Sequence, residues 1–88
     1  MSEISIAIPV ASFNKNWEGS LPIARGIEFT DTSKNNPISW DWDFGDGSPH
    51  ATAQNIAHKY LKRGLFTVIL TVSNSSGSSS ATTQVRVV

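Results

Sequence analysis

The stretch Trp40-Asp41-Trp42-Asp43-Phe44-Gly45-Asp46-Gly47-Ser48 joins two signals in nine residues. Its first half alternates: Ile38, Trp40, Trp42 and Phe44 share one parity, while Ser39, Asp41 and Asp43 share the other. Period-two alternation predicts a strand with one face in a core and one in water. The second half, Gly-Asp-Gly-Ser, is turn chemistry, because glycine takes up positive φ and an aspartate carboxylate bonds nearby backbone N–H groups. A strand loaded with aromatic rings therefore runs straight into a tight reversal. Such rings supply much of the apolar area that a small domain can bury.

The rest of the chain follows the same grammar. Val10 to Phe13 reads as a first strand with Ala11 and Phe13 inward, and Arg25 to Asp31 as a second with Ile27 and Phe29 inward. Ile38 to Phe44 is the third. Ser48 to Gln54 is small and polar, fitting a short edge strand or a loop. Asn55 to Tyr60 places Ile56, His58 and Tyr60 on one side. Leu65 to Ser73 turns Phe66, Val68, Leu70 and Val72 inward, and Ala81 to Val88 turns Ala81, Thr83, Val85 and Val87 inward. The connections, among them Asn14 to Pro22, are rich in Asn, Gly, Ser and Pro. No window carries a 3.6-residue period. About seven short strands at this spacing predict an all-β, antiparallel sandwich of two sheets. Residues 1–8 are weakly patterned and read as a disordered or linker remnant, leaving 9–88 as one domain.

Eighty-eight residues make one domain that buries about 60–65% of its unfolded surface, too little to enclose a deep catalytic cleft easily. There is no cysteine, so no disulfide staples the core. Seven basic residues balance seven acidic ones, and no field favours nucleic acid or an anionic membrane. No apolar run approaches the ~20 residues of a membrane span. Met1 to Ala7 lacks the basic start and apolar centre of a secretory leader. The expectation is a domain taken from a longer secreted chain, with Met1 as an added start.

Trp42-Asp43-Phe44-Gly45-Asp46-Gly47 resembles the signature of the PKD (polycystic kidney disease) domain. His58-Lys59-Tyr60 matches the family's H-x-Y segment, and Gly64-Leu65-Phe66-Thr67-Val68-Ile69-Leu70-Thr71-Val72-Ser73-Asn74 its G-x-Y-x-V-x-L-x-V-x-N strand. Ala11-Ser12-Phe13 and Phe29-Thr30-Asp31-Thr32-Ser33 fit upstream, so the resemblance covers residues 9–88. It departs at Phe66, where the family usually has tyrosine. The resemblance implies an immunoglobulin-like sandwich with Trp42 buried, and a structural role for Trp42, Asp43, Phe44, Gly45, Asp46, Gly47, His58, Tyr60, Gly64 and Phe66. It implies a non-catalytic, extracellular or cell-surface module, as in archaeal surface-layer proteins, secreted microbial hydrolases and polycystins. The implied partners are neighbouring domains of the same chain, other surface proteins or polysaccharide, with a monomer in isolation. The alternative implied role is an accessory, substrate-binding module of a secreted protease, collagenase or chitinase.

The remaining chemistry is thin. Asp41 and Asp43 lie two apart on a wet face, with Cα atoms roughly 6.5–7 Å apart and nothing in the pattern to form a cleft around them. No Gly-x-Ser-x-Gly, His-Glu-x-x-His or phosphate loop occurs, and no catalytic residue is assigned. An EF-hand beginning at Asp41 fails at its fifth, sixth and twelfth positions, which hold Gly45, Asp46 and Thr52. Some PKD domains bind calcium at the loop before this strand; here that loop offers Asp31, Asn35 and Asn36 beside Lys34, one carboxylate for a hard divalent ion. No cofactor is expected, with calcium the alternative to a plain turn at Asp31 and Ser33. His50 reads as solvated, and His58 as a buried histidine bonded to backbone or to an aspartate. Trp17 stands in a polar loop, where it either folds over an open end of the sandwich or, with Trp40, contacts a ligand. Asn74-Ser75-Ser76 fits an N-glycosylation acceptor.

Overall fold

In the computed structural model, which describes residues 7–88, the alternation around Trp42 becomes strand β3 (Ser39–Asp43). The other strands are β1 (Phe13–Lys15), β2 (Gly26–Asp31), β4 (Asn55–Lys59), β5 (Gly64–Asn74) and β6 (Gly77–Val87), and the described residues contain no helix. They form two antiparallel three-stranded sheets, ordered β1-β2-β4 and β3-β5-β6. Their inward rows meet in one core of Leu21, Ile27, Phe29, Trp42, Phe44, Tyr60, Val68, Leu70, Val72, Val85 and Val87. The sandwich is the all-β fold that the patterning predicts, because each strand places its β-branched and aromatic residues at every second position.

Register fixes which residues face the core. Trp42 pairs with Leu70 and Trp40 with Val72, while Phe66 pairs with Val85 and Leu70 with Ala81. Across the sandwich, Phe29 pairs with Ile56 and Ile27 with His58. Trp42 is fully buried, and its indole N–H donates to the Ala53 carbonyl at 2.8 Å. Its backbone exchanges two bonds with Ala51, which folds the 48–54 segment back over β3. No buried side-chain nitrogen or oxygen among the described residues lacks a hydrogen-bond partner.

Four expectations are corrected. There are six strands rather than seven: residues 48–54 form a loop whose one ladder contact is the Ala51–Trp42 bridge, since a single paired residue cannot propagate. The first strand begins at Phe13; Val10 makes an isolated bridge to Lys34 before it. Ile38 has inward parity but lies one residue before β3 at the pole of the sandwich, and it is 72% exposed. Leu21, placed in a polar loop by its neighbours, is instead fully buried. The first six positions of the expected 1–8 remnant lie outside the described residues, whereas the Ala7 and Ile8 carbonyls accept bonds from Asn74 and Asn35.

Trp42→Ala is expected to lower the unfolding free energy by about 3–5 kcal/mol, a large part of the stability of a domain this size. Chemical denaturation of the two proteins measures it; a midpoint scarcely moved would place the core elsewhere.

Candidate functional site

The residues that carry the sequence signature meet at the turn after β3. Gly45 and Gly47 both have positive φ, +79° and +82°. A Cβ on Gly45 would stand 2.3 Å from the Thr67 carbonyl oxygen, so the turn lies directly against the backbone of β5 and admits no side chain there. Nothing crowds Gly47, whose requirement is conformational alone. Two aspartates close the reversal. Asp43 Oδ1 accepts the Gly45 N–H at 3.0 Å, and Asp46 Oδ1 accepts the Ser48 N–H at 3.1 Å together with the Ser48 hydroxyl. These are turns in which a short carboxylate stands in for a backbone carbonyl.

Asp46 also reaches across the sandwich. His58 donates its Nε2–H to Asp46 Oδ2 at 2.8 Å, and the two side chains are 15% and 13% exposed. The imidazole lies flat on the Phe44 ring, with centroids 3.9 Å apart and planes within 1°. Tyr60 meets it edge-on at 4.7 Å, donates its hydroxyl to the Phe44 carbonyl at 2.8 Å, and stacks on Phe66 at 4.9 Å. Burial, with the charges of Asp46 and Asp43 nearby, pushes the Tyr60 phenol above its ordinary value and keeps it a neutral donor. Gly64 has φ +151° at the start of β5, and the nearest atoms to a side chain there would be those of the Phe66 ring.

The other candidates are engaged elsewhere. Trp40 Nε1 donates to Asp31 Oδ2 at 3.0 Å, and its ring is half-buried against the core. Asp31 also accepts from Gln54 at 3.3 Å and from the Ser33 N–H at 3.0 Å. Burial raises the Asp31 carboxyl, but bonds from Ser33, Trp40 and Gln54 outweigh it and hold the group below the usual carboxylate range. Asn35 turns its Nδ2 to the Ile8 carbonyl, and Asn35 and Asn36 both take left-handed backbone. One carboxylate already holding three donors, beside an amide turned away, does not fit a divalent cation. Trp17 packs against the core, donates its indole N–H to the Ser20 carbonyl at 3.0 Å, and has the Arg25 guanidinium 4.3 Å from its ring centroid. His50 is exposed, as expected, but it also meets the outer-face aspartates: Nδ1 lies 2.9 Å from Asp41 Oδ2 and Nε2 3.5 Å from Asp43 Oδ2. Asn74 Nδ2, the atom that would carry a glycan, donates to the carbonyls of Ala7 and Asn35.

Sequence reading missed two participants. The backbone of Thr67 has no residue signature, since any residue could stand there. Asn74 was legible only as a glycosylation acceptor, although Asn before a Ser-Ser-Gly turn also signals side-chain bonding to backbone, here from Ser76 N–H to Oδ1 at 2.8 Å.

The Asp46 carboxyl is pushed up by burial and pulled down more strongly by Ser48 and His58, to about 2 from an ordinary 3.8. A depressed carboxylate adds stability above its unfolded value that disappears as pH falls through the folded one. The bonds around Asp46 therefore contribute about 2 kcal/mol at neutral pH, lost between about pH 5 and pH 2. Asp46→Asn is expected to melt lower at pH 7 and to show a shallower fall over that window than the parent; parallel curves for the two proteins would contradict this.

A family model described as PKD domain matches residues 7–88. Human polycystin-1 is 36% identical over 74 residues, 80% of this chain but 2% of the human protein. Among solved structures, the PKD1 domain of the Vibrio cholerae metalloprotease PrtV superposes with a TM-score of 0.77 at 30% identity, covering 92% of this chain and 98% of that one. A chain solved in work on the promiscuous specificity of carbohydrate-binding modules of the β-sandwich superfamily reaches 0.84 at 28% identity, over 96% of this chain and 36% of that one. The glycine pinned on Thr67, the two aspartate-closed turns and the His58–Tyr60 pair lie within the matched span, and the chain belongs to the PKD domain family.

Proposed function

We propose that this domain is a non-catalytic, extracellular module of a larger surface or secreted protein, a spacer that transmits tension and presents its neighbours to other proteins or to polysaccharide. One observation carries the reading: the described segment enters and leaves at opposite poles. Ala7 is held by Asn74 beside the β5–β6 turn, and Val88 leaves at the far end of β6. Eleven residues of extended chain set those poles about 35 Å apart.

The exit pole is closed by a short parallel clamp. Leu21 N–H donates to the Arg86 carbonyl at 2.8 Å, Val88 N–H to Leu21 at 2.9 Å, and Ile23 N–H to Val88 at 2.9 Å. Tension between the poles draws residues 21–23 and 86–88 in opposite directions, so these bonds are loaded in shear and yield together. The polar groups of the signature turn serve the same end. Asp43, Asp46, His58 and Tyr60 each hold a structural partner, and no step of chemistry is assigned to them. The donor set at Asp31 supports a module that works without a resident metal ion.

Force spectroscopy of tandem copies tests the spacer role. Ile23→Pro removes one clamp donor at a partly exposed site, and it is expected to lower the unfolding force clearly while the melting temperature falls by only a few degrees. An unchanged force would remove the clamp, and with it the mechanical reading.

A second reading, the accessory module of a secreted hydrolase, is favoured by the likeness to the carbohydrate-binding-module chain and to the metalloprotease PKD domain. Arg25 over the Trp17 ring weighs against a sugar-stacking platform there. Pull-down on insoluble chitin, cellulose and collagen separates the two roles. The spacer role predicts no retention above background, and retention abolished by Trp17→Ala would establish the accessory one.

A further inference from the structure

Strand β6 is the outer strand of its sheet, and it pairs with β5 one residue to one from Gly77 to Val87 without a bulge. On its other side, among the described residues, the backbone meets only the Leu21–Ile23 segment at its end: Leu21 accepts from Val88 and donates to Arg86, and Ile23 donates to Val88. Those two bonds set the phase of the strand. In an antiparallel ladder the N–H and C=O of one residue point the same way, and neighbouring residues point oppositely. Since residues 86 and 88 point away from β5, so do Ser80, Thr82 and Gln84. Each offers one N–H and one C=O at the rim, and no described residue bonds them.

Natural sheets guard such an edge with lysine, proline, a bulge or a very short strand. β6 has none of these over Gly77-Ser78-Ser79-Ser80-Ala81-Thr82-Thr83-Gln84-Val85; it is long, regular and uncharged until Arg86. Its sequence is also neutral when read against itself. We propose that this edge is a self-association surface, on which two copies of the chain pair β6 with β6, antiparallel, about a two-fold axis at Thr82.

Three features select that register. An axis on an outward-pointing residue lets rim groups meet as hydrogen-bonded pairs, and Thr82 is the middle of the open window between the flanking Leu21 bridge and the Pro9–Ala11 segment held by Ser79. Thr82 then faces the partner's Thr82, and Ser80 faces the partner's Gln84, with both N–H and both C=O groups exchanged in each pair. Arg86, the only charge in the strand, lies outside the paired window, where Leu21 holds its backbone, so no like charges meet. The contact is isologous and joins the two β3-β5-β6 sheets into one. Its area stands at the weak end of specific interfaces, so a dissociation constant on the order of 1 mM is expected. Such a contact forms where copies are held close together along a chain or on a surface.

A charge swap tests it. Thr82 is exposed, so Thr82→Lys and Thr82→Glu should both fold and melt near the parent. In the parent, the amide resonances of Ser80, Thr82 and Gln84 should shift between about 50 µM and about 2 mM, and sedimentation should report a weak dimer. Each variant alone places like charges on the axis and should weaken association about tenfold. An equimolar mixture of the two should recover it, because lysine then faces glutamate. Concentration-independent spectra, shifts mapping to another surface, or a mixture no better than either variant alone would overturn the proposal. That last outcome includes an edge filled by a foreign strand or by the chain's own first residues.

Discussion

Trp42 occupies the space between two small sheets and leaves none of its polar atoms unbonded. That is the constraint from which the rest of the domain follows. The ring touches Phe13 edge-on and Phe29 at a tilt, with centroids 5.1 and 5.6 Å away. Phe29 continues to Phe44, Phe44 to His58, His58 to Tyr60 and Tyr60 to Phe66. Seven rings from five strands or their flanks thus form one contiguous path through the core. With no disulfide and a short chain, this path does what a covalent staple does in other small domains. It also explains why the turn after β3 must be so tight. Phe44 and Trp42 reach the ring path only if the chain reverses at once, and it reverses at once only if Gly45 lies flat on Thr67.

The polar groups follow from the same geometry. Asp43 and Asp46 close the turn, His58 seats Asp46, and Tyr60 ties the Phe44 carbonyl to the far side. A carboxylate beside an imidazole and a phenol resembles catalytic equipment when read as a roster of residue types. Here each member is bonded to a partner that the fold requires, and Asp46 and Tyr60 are shifted in the directions that keep them in those bonds, one ionised and one neutral. The arrangement makes the turn rigid.

The sequence made the centre of the fold legible and left its ends obscure. Trp42, Phe44, Ile27, Phe29, Val68, Leu70 and Val72 announce themselves because a buried row repeats every second residue, and a repeat can be recognised without knowing what lies opposite. His58 was legible as an inward histidine needing a partner, backbone or aspartate, because its parity placed it beside Tyr60; that the partner is Asp46 needed the fold. Leu21 and Ile38 were not. Leu21 is a lone apolar residue among turn formers, and only the parallel bridge to Val87 brings it inside. Ile38 keeps the parity of its strand but sits past its end, where the pole is open to water. His50 lies nine residues from Asp41 and seven from Asp43, and no periodic rule relates a loop side chain to the strand it folds across. Trp17 turned on the same kind of fact, since its burial depends on Arg25 and Ser20 meeting it in space.

The two sheets are unequal, and that inequality joins the mechanical reading to the edge. Strands β1, β2 and β4 have three, six and five residues, whereas β5 and β6 have eleven each. The long hairpin sets the length of the module, and β6 runs from the entry pole to the exit pole. A long outer strand needs partners on its free side, and among the described residues the chain leading into the shorter sheet supplies them at the two ends, through Ser79 and through Leu21. The clamp at Arg86 and the open rim at Ser80, Thr82 and Gln84 are therefore consequences of one alternation. The backbone groups that Leu21 secures at the pole belong to the row that lies uncovered in the middle, and a strand that joins two poles offers that row along the axis on which the module would be pulled.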